Sequence, residues 1–128
     1  MSILTNEVAP SANDMAWEIG NFLYYIHSWF EQIETTLLHL TPPEPENIDT
    51  ANKELNDLVI SIKSHKGRSQ DVINSLETLF NDNEEAAKLD LSVASNIVTL
   101  REKITDLREI TERINTLVKR RRKILQQV

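Results

Sequence analysis

The chain has no cysteine, so neither a disulfide nor a thiolate metal site can form within its 128 residues. The same absence removes any thiol nucleophile and leaves the redox compartment unread. Glycine occurs only twice and proline four times. An all-β fold needs turn residues at short intervals, and a strand–helix–strand fold needs them at every crossover. Scarce punctuation therefore points to a few long elements. With Gly20 and Gly67 alone, no glycine-rich phosphate loop can be built. No apolar run approaches the roughly 18 residues of a membrane span. Met1 to Asn13 has neither the basic nor the apolar region of a signal peptide, so none is expected.

What remains is 40% hydrophobic and 27% charged, a balance that suits one folded domain rather than a disordered chain. The net charge of −6 is unevenly spread. Residues 11–40 hold four acids and no Lys or Arg, whereas residues 82–128 hold eight acids and ten bases. Five of those bases are consecutive, Lys119 to Lys123. An acidic first element and a basic third one favour lying side by side.

Three stretches carry apolar residues at helical spacing. In the first, Ile19, Phe22, Ile26, Trp29, Ile33, Leu37 and Leu40 form a near-heptad stripe, widened by Leu23 and Phe30. Ser11 and Asp14 resemble a capping box at its start, and Pro42, Pro43 and Pro45 end it near Thr41. The second stripe runs Leu55, Leu58, Ile62, His65, Ser69, Val72, Leu76 and Leu79 or Phe80, with a polar middle. Asp82 and Glu85 give the next capping signal. The third stripe is Ile97, Leu100, Ile104, Leu107, Thr111, Ile114, Val118, Arg121 and Leu125. The expected fold is all-α: three long helices, about 12–40, 48–80 and 83–127, in an up-down-up left-handed coiled-coil bundle over residues 11–128. Residues 1–10 are expected to be disordered. Trp29, Ile33, Ile62, Leu76, Leu107 and Ile114 are expected in the core, and Thr111 is expected buried with its hydroxyl bonded one turn back.

In register, the chain resembles spectrin repeats over about residues 12–128. Trp29, Phe30, Glu34 and Leu37 look like that family's first-helix set. Leu58, Ile62, His65, Val72 and Leu76 follow its second helix. Leu107, Thr111, Ile114, Val118, Arg121 and Leu125 follow its third, with Thr111 where the family carries Trp. The proline-rich first loop is longer than simple repeats have. The resemblance is to divergent repeats, as in dystrophin-like, nesprin-like or plakin-like linkers. It implies tandem neighbours, cytoskeletal or nuclear-envelope attachment, a cytoplasmic location, and sometimes actin or adaptor binding. A third helix continuing beyond Val128 into a following repeat fits the same picture.

No catalytic constellation is visible. No two histidines share i,i+4 spacing, no His-Glu-x-x-His pattern occurs, and Glu44, Glu46, Glu84 and Glu85 read as loop and cap charges. His65 reads as a polar member of the seam. No enzyme activity, cofactor or metal is expected. The candidate partner-binding residues are Tyr24, Tyr25, Lys119, Arg120, Arg122 and Lys123. Either tyrosine can widen the core or join an exposed aromatic patch. The basic run reads as a solvated helix end favoured by the helix dipole, as a contact for an anionic membrane surface or nucleic acid, or as a nuclear import signal. Nucleic acid is disfavoured because no aromatic is interleaved with the bases. The expected function is thus a structural scaffold or linker module with protein partners. The alternative is a free-standing helical adaptor subunit of a coiled-coil complex.

Overall fold

The computed structural model describes the backbone from residue 12 to residue 128 and the side chains from Trp17 onward. The expected disorder of residues 1–10 and the Ser11–Asp14 cap lie outside the described residues. Of the described residues, 91% are helical and none is in a strand. Four helices pack against one another: α1 (Ala12–Leu38), α2 (Ile48–Asp82), α3 (Glu84–Leu89) and α4 (Leu91–Gln126).

The first break follows from proline chemistry. Residues 40–44 leave the helix, and a single 3-10 turn, Pro45–Asn47, opens directly into α2. The second break differs from the expected one. The Asp82–Glu85 box does not start a long helix: α2 ends at Asp82, Asn83 forms a turn, and only six residues of α3 follow. The long helix starts after Asp90, whose backbone is extended (φ −130°, ψ 111°) and whose carboxylate accepts from the Ser92 backbone N–H at 2.9 Å. That is an N-cap, and it satisfies a donor the first turn would leave unpaired. The flanking Leu89 and Leu91 project into solvent, 92% and 85% exposed.

One apolar core runs through the assembly. It takes Leu23, Ile26, Phe30 and Leu37 from α1, Leu55, Ile62, Ile73, Leu76 and Phe80 from α2, and Leu100, Ile104, Leu107, Ile110, Ile114 and Leu125 from α4. Ile62, Leu76, Leu107 and Ile114 are buried as their spacing predicts. Trp29 and Ile33 are only half-buried. The reason is rotational. α1 packs most extensively on α4, so its inward face turns towards Leu23 and Phe30 and away from Phe22 and Trp29. Thr111 is half-buried too; its hydroxyl donates to the Arg108 carbonyl at 2.9 Å, a bond of the expected kind. Its neighbour Ile110 is fully buried instead.

The polar middle of α2 is satisfied locally. Ser69, 4% exposed, donates its hydroxyl to the His65 carbonyl at 2.7 Å. The His65 ring donates through Nδ1 to the Ser61 carbonyl at 2.8 Å and stacks on Trp29, with centroids 3.5 Å apart and planes 7° apart.

Cross-helix contacts fix the relative directions. Gly20 lies beside Leu100 and Glu34 beside Arg113, so numbering rises together along α1 and α4. Lys66 reaches Asn115, and Arg101 covers the Phe80 ring at 4.5 Å, so numbering runs oppositely along α2 and α4. The Arg113 Nε–H donates to Glu34 at 2.7 Å. This bond, more than any Coulombic effect, holds the Arg113 guanidinium above its usual pKa. The stability it lends is present below the ordinary arginine range and lost only as the solution turns strongly alkaline, so it adds no pH dependence near neutrality. With side chains 54% and 20% exposed, the pair contributes at most about 1 kcal/mol.

Candidate interaction site

α1 has no Lys or Arg, and its outward side is unusually apolar and weakly charged for a surface helix. Trp17, Tyr24 and Tyr25 are 71%, 69% and 59% exposed. Core burial of the tyrosines, one of the two readings of their spacing, is therefore overturned: both stand off the seam. Between and beyond the rings the exposed residues include uncharged Asn21, Gln32, Thr35 and Thr36 and two acids, Glu18 and Glu31, with Ser28 half-buried. The hydroxyls of Thr35 and Thr36 bond back to the carbonyls of Glu31 and Gln32. Aromatic enrichment with depleted charge is the composition of a protein interface core.

A groove follows the line between α1 and α4. One cavity of about 310 Å³ is lined by Trp17, Gly20 and Asn21 of α1 and by Asn96, Thr99, Leu100 and Lys103 of α4. A second, of about 270 Å³, is lined by Leu23, Tyr24, His27 and Glu31 and by Lys103 and Asp106. Lys103 belongs to both, with its Nζ 5.9 Å from the Tyr24 ring centroid. His27 Nδ1 lies 3.2 Å from a Glu31 carboxylate oxygen. Beyond Glu31 the Glu34–Arg113 pair ties the two helices together.

The basic run is a separate feature. Lys119, Arg120, Arg122 and Lys123 are exposed, and none forms an ion pair with a described residue. Arg121 is half-buried, on the seam side, and its Nε has no hydrogen-bond partner. From Arg113 to Val128 there are six bases and no acid. The run starts 16 residues after Lys103, roughly 24 Å along the helix, so the structure does not join it to the tyrosines.

No family model, curated protein or solved structure matches the chain. The spectrin resemblance rests on its three registers alone. Among the described residues no group of three or more His, Asp or Glu is placed to hold a metal ion, and no helix is long and apolar enough to cross a membrane.

The groove was not foreseen from the sequence. Its signal was present in Trp17 and Tyr24, seven residues apart, with a glycine between them. What periodicity could not supply was the second wall, Asn96 to Lys103. Neither glycine is required by packing among the described residues. A Cβ at Gly20 would meet only Leu100 Cδ2, at an ordinary 3.6 Å, and one at Gly67 would meet nothing. Gly20→Ala and Gly67→Ala should therefore each raise stability by about 0.5–1 kcal/mol, read as a higher Tm by circular dichroism. A Gly20→Ala protein that melts lower would mean α1 and α4 approach more closely than 3.6 Å implies.

Proposed function

We propose that the chain is a non-catalytic structural scaffold or linker module that presents helical faces to protein partners. The carrying observation is the charge-poor face of α1, where three aromatic rings stand in solvent. Leaving such rings exposed has a solvation cost that the fold itself does not require.

The finer reading is an up-down-up left-handed bundle like a divergent spectrin repeat, cytoplasmic and associated with cytoskeletal or membrane-bound proteins. The contact pairs along α1, α2 and α4 support the directions of the three long helices. The single core reaching from Leu23 to Leu125 supports a stiff spacer between attachment points. A specific observation favours a second reading, the free-standing adaptor subunit: the exposed rings are continuous with a groove between two helices, as a coiled-coil subunit would need.

The test is proximity labelling in cells with the chain fused to a biotin ligase, comparing it with Tyr24→Glu/Tyr25→Glu. Both side chains are exposed, so the double variant should keep its Tm while losing most of its labelled neighbours. A neighbour set unchanged by the double variant would remove this face as the point of attachment. Light scattering on dilution separates the two readings, because an adaptor subunit alone self-associates or unfolds where a linker module stays monomeric.

A further inference from the structure

In a coiled coil, a side chain of one helix enters a hole framed by four residues of its neighbour, and the pattern repeats every seven residues. Trp17, Gly20 and Asn21 are spaced i, i+3 and i+4, three sides of such a hole, and line one cavity; Tyr24, at i+7, lines the next. Across the groove Asn96, Thr99, Leu100 and Lys103 repeat the same spacing around the same cavity. The second cavity sits one heptad further along, at Tyr24, His27 and Glu31, about 10.5 Å away at 1.5 Å per residue. Two holes at heptad spacing between two helices that run in the same direction are the receiving half of a helix-packing interface.

The floor of the first hole is Gly20. A methyl group there would fit, so no contact among the described residues accounts for a residue that weakens the helix. Gly67 is equally unneeded for packing, but it is itself exposed and lines neither cavity of the α1–α4 groove. An open floor at Gly20 is what an entering side chain requires.

The charges select the occupant. The first hole is walled by uncharged groups apart from Lys103, whose ammonium faces the Tyr24 ring. The second carries two carboxylates, Glu31 and Asp106, against that one lysine. Asp106 forms no ion pair among the described residues. α1 itself has no Lys or Arg, and its His27 Nδ1 lies 3.2 Å from the Glu31 carboxylate. The three exposed rings offer roughly 400 Å² at about 150–250 Å² per ring, near half of the ~800 Å² per partner in a standard interface. The Glu34–Arg113 pair closes the groove, leaving the span from Trp17 to Glu31, roughly 21 Å or four helical turns.

We propose that the α1–α4 groove receives an amphipathic helix from a partner protein, with an aliphatic side chain seated over Gly20 and a Lys or Arg seven residues away between Glu31 and Asp106. This deepens the scaffold reading by naming the docking mode and the chemistry of the partner.

The test uses a fluorescein-labelled synthetic helix of about three heptads carrying one groove-facing Leu with Lys seven residues along, and a control with Glu in place of that Lys. Each is titrated with the full chain, and anisotropy is read. The Lys peptide should bind roughly tenfold or more tightly than the Glu peptide. Gly20→Leu fills the first hole and should abolish binding of the Lys peptide. Asp106→Lys lies at the exposed rim, leaves the core untouched, and should reverse the preference between the two peptides. Equal affinities for the two peptides, or no binding of either, would overturn the proposal, as would an Asp106→Lys protein that still prefers Lys. Light scattering that shows a dimer dissolved by Gly20→Leu would also overturn it, by making the occupant a second copy of this chain. Failure of these titrations with the Tyr24→Glu/Tyr25→Glu neighbour loss intact removes the groove and leaves the scaffold reading standing.

Discussion

The Phe30→Ala protein is expected to lose about 3–5 kcal/mol of unfolding free energy, and Trp29→Ala no more than about 2 kcal/mol. The two aromatic rings are neighbours in sequence, with centroids 5.2 Å apart at 76°. Their environments differ. Phe30 is fully buried among the three long helices, so its removal leaves a cavity that rigid neighbours cannot refill. Trp29 is half-buried, and its main partner is the His65 ring, stacked at 3.5 Å. Truncating it uncovers one face of His65 and one flank of the core, both of which water can reach. Against a typical total of about 5–15 kcal/mol, the Phe30 variant should sit near the edge of stability, while the Trp29 variant should stay folded. Urea unfolding followed by circular dichroism measures both, with the slope held constant as the check that only stability has changed. Equal losses, or a larger one for Trp29, would mean that α1 is rotated back to the face its heptad spacing suggests.

That rotation shows what the sequence could and could not convey. The spacing of Ile62, Leu76, Leu107 and Ile114 placed four core positions because each stands alone among polar neighbours. Phe22–Leu23 and Trp29–Phe30 are adjacent apolar pairs, and one residue turns a helix by about 100°. Which member of each pair points inward is decided by which helix packs closest, and periodicity carries no such information. His65 and Ser69 looked like a weak layer in the second stripe. The structure resolves them through a stacked Trp29 and a bonded carbonyl, features that depend on a neighbouring helix and a rotamer. The break at Asp90 was legible in principle, since Asp is a strong N-cap residue. It was obscured by the similar signal at Asp82 and by the lack of an apolar stripe before Ile97. The candidate tyrosines were found in the sequence, but the groove beside them belongs to two helices at once, so no single-helix pattern contains it.

On α4 the same ambiguity gives the other large effect. Ile110→Ala is expected to cost about 2–5 kcal/mol, and Thr111→Ala less than about 1 kcal/mol. Ile110 has no exposed surface and belongs to the shared core, so shortening it removes buried carbons and leaves a void. Thr111 is half-buried, and its hydroxyl bonds to Arg108 within its own helix. Removing that hydroxyl orphans nothing, because the Arg108 carbonyl still accepts its helix-ladder bond. The stripe read from spacing alone passes through Thr111, Ile114, Val118 and Leu125, and the spectrin register places the family's Trp at position 111. The buried face keeps Leu107, Ile114 and Leu125 of that stripe and widens to the Ile110 side, at the expense of Thr111. Denaturant melts of the two single variants and the double variant decide the matter, because residues in contact with a common cavity give a non-additive double loss. A large cost at Thr111 with a small one at Ile110 would turn α4 back to the spectrin register and strengthen that resemblance. The expected order places the buried seam of α4 on the Ile110 side, the side of the helix that two turns earlier carries Lys103 towards the α1 groove.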